Sequence, residues 1–405
     1  MNGLNLNQVN CLPHVQAAHA SIRHAVKFKL CSESFLSAPR SAVVDGIISY
    51  GGSTGIGLNL AAKAYSEFYE RNHLFAGIPI DCVRPLSAIE PHTYREKLLN
   101  LCQISHNKDK AQCLAHEFSW VRVNNLFDHH AQYYFFNGLS LNGVKKDVPF
   151  LGFSDSCACA AHPVKEKALE SSLMEFLERQ ALLGSWLSKS TLYAINPQVL
   201  SLVTPYAELA EMLLENGQLY VFSNGRHLPA HTVIMFYFAH SEKDTVQYSI
   251  GSSSGFNLQA ALTASLEELY QCYSFLYNTE SSSGLENKAG AGYHLSFQQC
   301  NHRDVKKTIP FLNEHPFFHI NHPEEVYAAP VFSLEEVLAE LEAVTNDIYY
   351  YHHHEKSLDL HITKIMSPDF FAHMAINKPL NFENRYAQKL GISKENAYLE
   401  KIPFP

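Results

Sequence analysis

Along this chain the apolar positions follow two periods. Three long segments place them at helical spacing: "LNLAAKAYSEFYERNHLF", "VKEKALESSLMEFLERQALLGSWL" and "NLQAALTASLEELYQCYSFLYN". Each is entered from a turn of small residues, "GGSTGIG", "DSCACAAHP" and "GSSSGF". Pro163 suits the first turn of the second helix, and Asn257 is a cap for the third. A fourth helix, "SLEEVLAELEAVTND", opens with Ser333 and Glu336 at capping-box spacing. Elsewhere the pattern is that of strands. "QLYVFSNGRHLPAHTVIMFYFAH" reads as two strands joined at Ser223, Asn224 and Gly225, Asn-Gly being a hairpin signal. "DIYYYHHH" and "DLHITKIMSP" are rich in aromatic or β-branched residues and read as further strands. Helices and strands are interleaved without the regular alternation of a doubly wound sheet, so the expected class is α+β with largely antiparallel sheet.

Composition narrows the function classes. With 405 residues, 46% hydrophobic and 18% charged, the chain has enough apolar material for a sizeable core in one large or two ordinary domains. A net charge of -9 gives no general attraction to nucleic acid or to an anionic membrane. The first thirty residues lack a signal-peptide apolar segment, and no run approaches the roughly 20 apolar residues of a membrane span. "TVIMFYFA" reads instead as a buried strand. A cytoplasmic location follows, and the nine scattered cysteines are expected as reduced thiols.

Candidate chemistry comes from a repeated string. Ser66-Glu67-Phe68-Tyr69-Glu70-Arg71 in the first helix has a twin in Met174-Glu175-Phe176-Leu177-Glu178-Arg179 in the second. At spacings of three and four, each helix projects two carboxylates and a guanidinium together. The third helix offers Glu267 and Gln271. A single such segment is an ordinary solvent-facing pair worth roughly 0.2 to 0.5 kcal/mol. Two copies among apolar residues, with a third acidic helix, point elsewhere. Converging carboxylates repel by about 4 kcal/mol per pair at 4 Å and an effective dielectric near 20, so the cluster makes sense as a holder of cations. Hard oxygen donors select Mg²⁺, which binds through carboxylates and substrate phosphates; with arginines and helix starts added, the set suits a nucleoside triphosphate.

These segments resemble the signatures of the YcaO family: S-x-x-E-x-x-E-R, S-x-x-x-E-x-x-E-R and E-x-x-x-Q. The second is present at Ser171, Glu175, Glu178 and Arg179, the third at Glu267 and Gln271, and the first at Glu67, Glu70 and Arg71 with Ala64 in place of serine. "SCACAAHP", with Ser156, stands where the family has a serine, asparagine, glycine run, and the ending "KIPFP" is similar to the proline-rich tail of azole-forming members. The likeness runs from about Ser53 to Pro405 and is greatest to the cyclodehydratase subunit of linear azole-containing microcin synthetases. The chain departs from the family at Ile56, where a lysine is usual, at Cys157 for asparagine and at Thr263 for arginine.

The resemblance implies a YcaO-like fold over residues 46–405, with 1–45 an N-terminal extension or interface segment. It implies ATP-dependent conversion of Cys, Ser or Thr residues of a ribosomal precursor peptide into thiazolines or oxazolines. The side chain attacks the preceding amide carbonyl, ATP phosphorylates the oxyanion, and phosphate leaves. It further implies Mg²⁺ and ATP held by Glu67, Glu70, Glu175, Glu178 and Glu267, with Arg71, Ser156, Ser171, Arg179 and Gln271 about the nucleotide. Glu178, Arg179 and the terminal Pro405 are the catalytic candidates. Implied partners are the precursor peptide, a separate leader-recognition subunit and a flavin-dependent azoline dehydrogenase in a hetero-oligomeric complex. A thioamide-forming enzyme and a non-catalytic scaffold are the alternatives.

Other signals are set aside. A dehydrogenase reading of "GGSTGIG" needs a tyrosine four residues before a lysine, and the chain has none. Cys157 and Cys159 lack a second zinc-ligand pair. His352, His353 and His354 lie in a probable strand, where neighbours face opposite sides and cannot all meet one metal; His129 and His130 after Asp128 are equally unspecific.

Overall fold

The computed structural model describes residues 27–31, 39–46, 49–56, 59–106, 109–151, 154–277 and 297–404. The strands, in chain order, are β1 (Lys27–Cys31), β2 (Arg40–Asp45), β3 (Tyr50–Gly55), β4 (Cys82–Pro85), β5 (Glu117–Asn125), β6 (Ala131–Phe135), β7 (Cys159–His162), β8 (Tyr193–Ile195), β9 (Gly217–Ser223), β10 (His231–Ala239), β11 (Tyr248–Gly255), β12 (Tyr349–Glu355) and β13 (Leu360–Met366). They form a three-stranded sheet β1-β2-β3, a four-stranded sheet β11-β10-β9-β8, and a larger sheet β4-β5-β12-β13-β7 with β6 on the flank of β5. Every strand pair is antiparallel, as the interleaved pattern predicts.

The long helices are α1 (Leu60–Ala76), α2 (His92–His106), α3 (Lys165–Ser188), α4 (Leu258–Tyr277) and α5 (Leu334–Val344). In α1, Leu60, Ala64, Tyr65, Phe68 and Tyr69 make one buried stripe, so Glu67, Glu70 and Arg71 fall on the adjoining face. The second half of α3 is buried almost all round, which explains why its polar positions show so little amphipathic pattern. Asn257 caps α4 through a 2.8 Å bond from the Ala260 N–H, and the Ser333–Glu336 capping box of α5 is formed in both directions.

Strand β10 is buried along its whole length because both faces are covered: Val233, Met235 and Tyr237 enter one core, Ile234, Phe236 and Phe238 another. Its hairpin with β9 has the expected antiparallel pairing, but Asn224 and Gly225 do not make a two-residue turn. The connection runs from 224 to 230, and the register starts at Ser223 opposite Val233. Asn224 is fully buried, and its backbone N–H donates to Thr232, so the dipeptide continues the ladder.

A second repeat emerges, two hundred residues apart. In Ser49–Gly55 and Ser249–Gly255 the backbone runs tight against a helix. The Ser49 hydroxyl donates to the Phe68 carbonyl at 3.2 Å, and the Ser249 hydroxyl to the Leu269 carbonyl at 2.7 Å. A Cβ on Gly51 would stand 2.0 Å from the Ala64 carbonyl oxygen, and one on Gly251 would stand 2.1 Å from that of Ser265. Only glycine permits either approach. Two strand–helix units, β3–α1 and β11–α4, are therefore built alike.

Candidate active site

Helices α1, α3 and α4 bring their acidic faces to one place. Four of the carboxylates are aimed by the backbone of a neighbouring strand. Gly52 donates to Glu67 at 2.5 Å, Cys159 to Glu175 at 3.0 Å and Ser252 to Glu268 at 2.6 Å, while the Ser254 backbone hydrogen-bonds Glu178. Glu70 is buried beside Glu67 and Glu175. Arg71 pairs with Glu67 at 2.6 Å and stacks on Tyr50. Arg179 is placed more loosely, 3.6 Å from Glu175, 3.4 Å from Glu178 and 3.8 Å from Glu268.

The charges do not cancel inside this set. Burial pushes Glu70 well above the usual carboxylate range, reinforced by Glu175 and Glu67. Burial likewise drives Glu178 well up against the pull of Arg179, raises Glu268, and pushes Glu175 up to about 7. Glu178 Oε1 and Arg179 Nε make no hydrogen bond and are held only by long ion pairs, at 3.4 Å to the Arg179 guanidinium and 3.6 Å to Glu175. Three carboxylates thus share one loosely placed guanidinium. The cluster at Lys97 behaves otherwise: its Nζ lies 2.5 Å from both Asp347 and Asp369, and Thr345 also donates to Asp369. That network is complete without a ligand; the glutamate cluster is not.

The donor set fits Mg²⁺ and the phosphates of a nucleotide. All candidate donors to the metal are carboxylate oxygens, and those of Glu175, Glu178 and Glu268 are only loosely held by Arg179. Among the described residues no three of these carboxylates bring ligand oxygens within 4.8 Å of one another. They form an open ring, as suits an ion that keeps waters and phosphate oxygens among its ligands.

Of the sequence candidates, Glu67, Glu70, Arg71, Glu175, Glu178 and Arg179 converge. Gln271 joins them, accepting the Thr54 hydroxyl at 3.0 Å, with its amide 3.0 Å from the position a Cβ on Gly52 would take. Ser171 is exposed one turn before Glu175, and Ser156 is half-buried in the turn ahead of β7. Glu267 points to the other side of Gln271. It accepts a hydrogen bond from the Tyr206 hydroxyl and lines a cleft of about 310 Å³ with Gly55, Ile56 and Lys63. Lys63 thus puts a cation in the wall that Ile56 leaves apolar. Glu268 was missed by sequence reasoning. The repeat of Gly51-Gly52-Ser53-Thr54-Gly55 in Gly251-Ser252-Ser253-Ser254-Gly255 could have found it, since Gly52 and Ser252 aim equivalent glutamates.

Cys157 lines a cavity with Asp155, Arg179 and Lys364, and burial raises its thiol well above the usual range. The seven cysteines described, Cys82, Cys102, Cys113, Cys157, Cys159, Cys272 and Cys300, are all free thiols. Ala64 is fully buried against β3. The tail reaches the site: Arg179 lies 4.6 Å over the Phe404 ring, and the Tyr248 hydroxyl donates to the Pro403 carbonyl at 2.7 Å. Pro405 lies outside the described residues. Among the described residues no helix is long and apolar enough to cross a membrane.

An acidic cluster with two arginines, set between three helices, is the kind of site that divalent-cation- and phosphate-binding enzymes present. The chain belongs to the YcaO family: the model for "YcaO cyclodehydratase", described as ATP- and Mg²⁺-binding, matches residues 61–371. It is 26% identical to the microcin B17-processing protein McbD of Escherichia coli over 348 residues, 84% of this chain and 87% of that one. Its fold is similar to one in the E. coli microcin synthetase McbBCD complex, with a TM-score of 0.83 and 23% identity over 93% of this chain and 96% of the other. In that complex with pro-MccB17 bound, the corresponding values are 0.80 and 22%, over 94% and 96%.

Proposed function

We propose that this chain is the cyclodehydratase subunit of an azole-forming peptide synthetase, acting in the cytoplasm on a ribosomal precursor peptide. The observation that carries the reading is the buried cluster of carboxylates from three helices, in which Glu175, Glu178 and Glu268 share one guanidinium, Arg179, at 3.4 to 3.8 Å, on a chain of the YcaO family. The amide oxygen of a peptide is a poor leaving group until phosphorylated, so the task is to hold a triphosphate against it. Glu67, Glu175, Glu178 and Glu268 hold the metal and its phosphate ligands, fixed by the backbone donors of β3, β7 and β11. Mg²⁺ supplies charge neutralisation on the phosphates when bound. Arg179, with Phe404 against its face and its guanidinium only loosely paired, is the residue that would neutralise phosphate charge, and Arg71 braces Glu67. Orientation of the two reactants contributes up to about 7 to 11 kcal/mol.

The overall chemistry is balanced. A Cys thiol or Ser/Thr hydroxyl adds to the preceding amide carbon, the oxygen takes the terminal phosphoryl group of ATP, and phosphate leaves as the C=N bond of the azoline forms. Oxidation to the azole falls to a flavin-dependent dehydrogenase partner, and leader recognition to a separate subunit. The likeness to a chain of the E. coli microcin synthetase McbBCD complex supports a hetero-oligomer. On this reading the body of the enzyme takes in β1 and β2 as well as residues 46–405, rather than starting at 46, because β2 pairs with β3 and packs Ala42 and Val44 against Leu60, Ala64 and Phe68 of α1.

The test is reconstitution with partner subunits and a Cys- and Ser-containing precursor. The expected product loses one water per ring, with ADP and phosphate formed. A sulfur-for-oxygen exchange would instead mark a thioamide-forming enzyme, and absent ATP turnover with all partners present a scaffold.

A further inference from the structure

The histidines of β12 acquire a meaning in the fold that their spacing does not carry. Alternation does separate them: His353 stacks on His73 of α1 at 4.0 Å, while His352 and His354 face the other side of the sheet. On that side the antiparallel register sets His354 directly opposite His361 of β13, and their rings stack at 4.0 Å with 9° between planes. The turn between the strands adds a carboxylate. Asp359 takes a left-handed backbone, φ 49°, and its Oδ1 lies 3.1 Å from His354 Nε2. His354, Asp359 and His361 each offer a ligand atom within 4.8 Å of the others, the one such group among the described residues. His352 is behind them, its Nε2 2.9 Å from His361 Nδ1, so one imidazole orients the next.

We propose that His354, Asp359 and His361 form a binding site for a borderline divalent transition ion of the Zn²⁺ type, with His352 as the positioning residue. Two imidazoles and one carboxylate are the donors such an ion prefers, and unlike an all-oxygen set they disfavour Mg²⁺; because an imidazole's donor lone pair lies in its ring plane, the stacked rings of His354 and His361 turn out of parallel to meet one ion. The donors are accessible, with the side chains of His354 35% and Asp359 82% exposed, leaving room for water as a further ligand. The ion takes the place of the direct 3.1 Å contact between His354 and Asp359 and ties the turn to both strands. It clips the hairpin whose second strand lies under α3, independently of the glutamate cluster.

The test uses the full chain without a histidine tag, stripped of metal and titrated with Zn²⁺ against a chromophoric chelator. One equivalent binds tightly enough to compete. His354→Ala, His361→Ala and Asp359→Asn each weaken binding at least tenfold, His352→Ala weakens it by roughly 10- to 100-fold, and His353→Ala on the opposite face leaves it unchanged. Zn²⁺ raises the melting temperature of the wild type and not of His354→Gln, whose metal-free melting temperature matches the wild type and so reports folding. No stoichiometric Zn²⁺ binding by the wild type, or binding by the His354→Ala, His361→Ala double variant as tight as the wild type's, overturns the proposal.

Discussion

The units β3–α1 and β11–α4 share one construction and differ in charge. In both, a serine hydroxyl ties strand to helix, a glycine lets the backbones touch, and the next residue's N–H holds a glutamate: Ser49, Gly51, Gly52 and Glu67 in one, Ser249, Gly251, Ser252 and Glu268 in the other. Four residues on, Glu67 meets Arg71 at 2.6 Å, whereas Glu268 has Cys272, buried and uncharged, and must reach to Arg179 at 3.8 Å. One unit pairs its strand-held glutamate on its own helix. The other depends on α3 or on a bound cation. The repeat thus fixes the position of the carboxylates, and the helix surface decides which of them is left for a ligand.

The largest effect expected is at the centre, where neither unit compensates. Glu178→Ala lowers ATP-dependent ring formation by at least about 10³-fold, with the complex still assembling by size-exclusion chromatography. Wild-type rates would remove Glu178 from the site. Next comes the construction itself. Gly51→Ala and Gly251→Ala each cost roughly 1 to 3 kcal/mol of overpacking in denaturant unfolding. Equal costs would support the repeat, and a cost in one unit alone would break it.

The two glutamates of α4 sharpen the comparison. Glu268→Gln is expected to lower kcat/KM for magnesium-ATP by about ten- to a hundredfold, or ~1.4 to 2.7 kcal/mol. Glu267→Gln, which keeps the hydrogen bond with Tyr206 available, has the smaller effect. The reverse order would return the metal to the Glu267 side of the helix.

A smaller effect concerns protons. The carboxyl of Glu175, raised by burial to about 7 from an ordinary value of 4.5, binds more protons folded than unfolded across that window. Its contribution to stability is present below pH 4.5 and is lost as pH rises through about 7. Glu175→Gln removes this loss, so the variant gains stability over the metal-free wild type between pH 5 and pH 8. Saturating Mg²⁺ narrows that gap. A pH-independent gap would contradict the assignment.

The fold class was legible because strand and helix periods were strong, and the E-F-x-E-R twins exposed four of the five clustered glutamates, Glu67, Glu70, Glu175 and Glu178. Glu268 was not, since neighbours on a helix differ by about 100° in direction and only packing decides which one faces inward. The Asn-Gly signal misled in its turn geometry because burial of Asn224 extends the ladder. The histidine cluster was invisible for a related reason: Asp359 and His361 join His354 only through the β12–β13 register.

The central claim is that carboxylates of three helices hold one magnesium nucleotide. A structure of the assembled complex with Mg²⁺ and a non-hydrolysable ATP analogue tests it most directly. The account predicts the phosphates and metal among Glu67, Glu175, Glu178 and Glu268, with Arg179 drawn onto a phosphate oxygen. A nucleotide bound elsewhere, with Arg179 still resting between Glu175, Glu178 and Glu268, would contradict it.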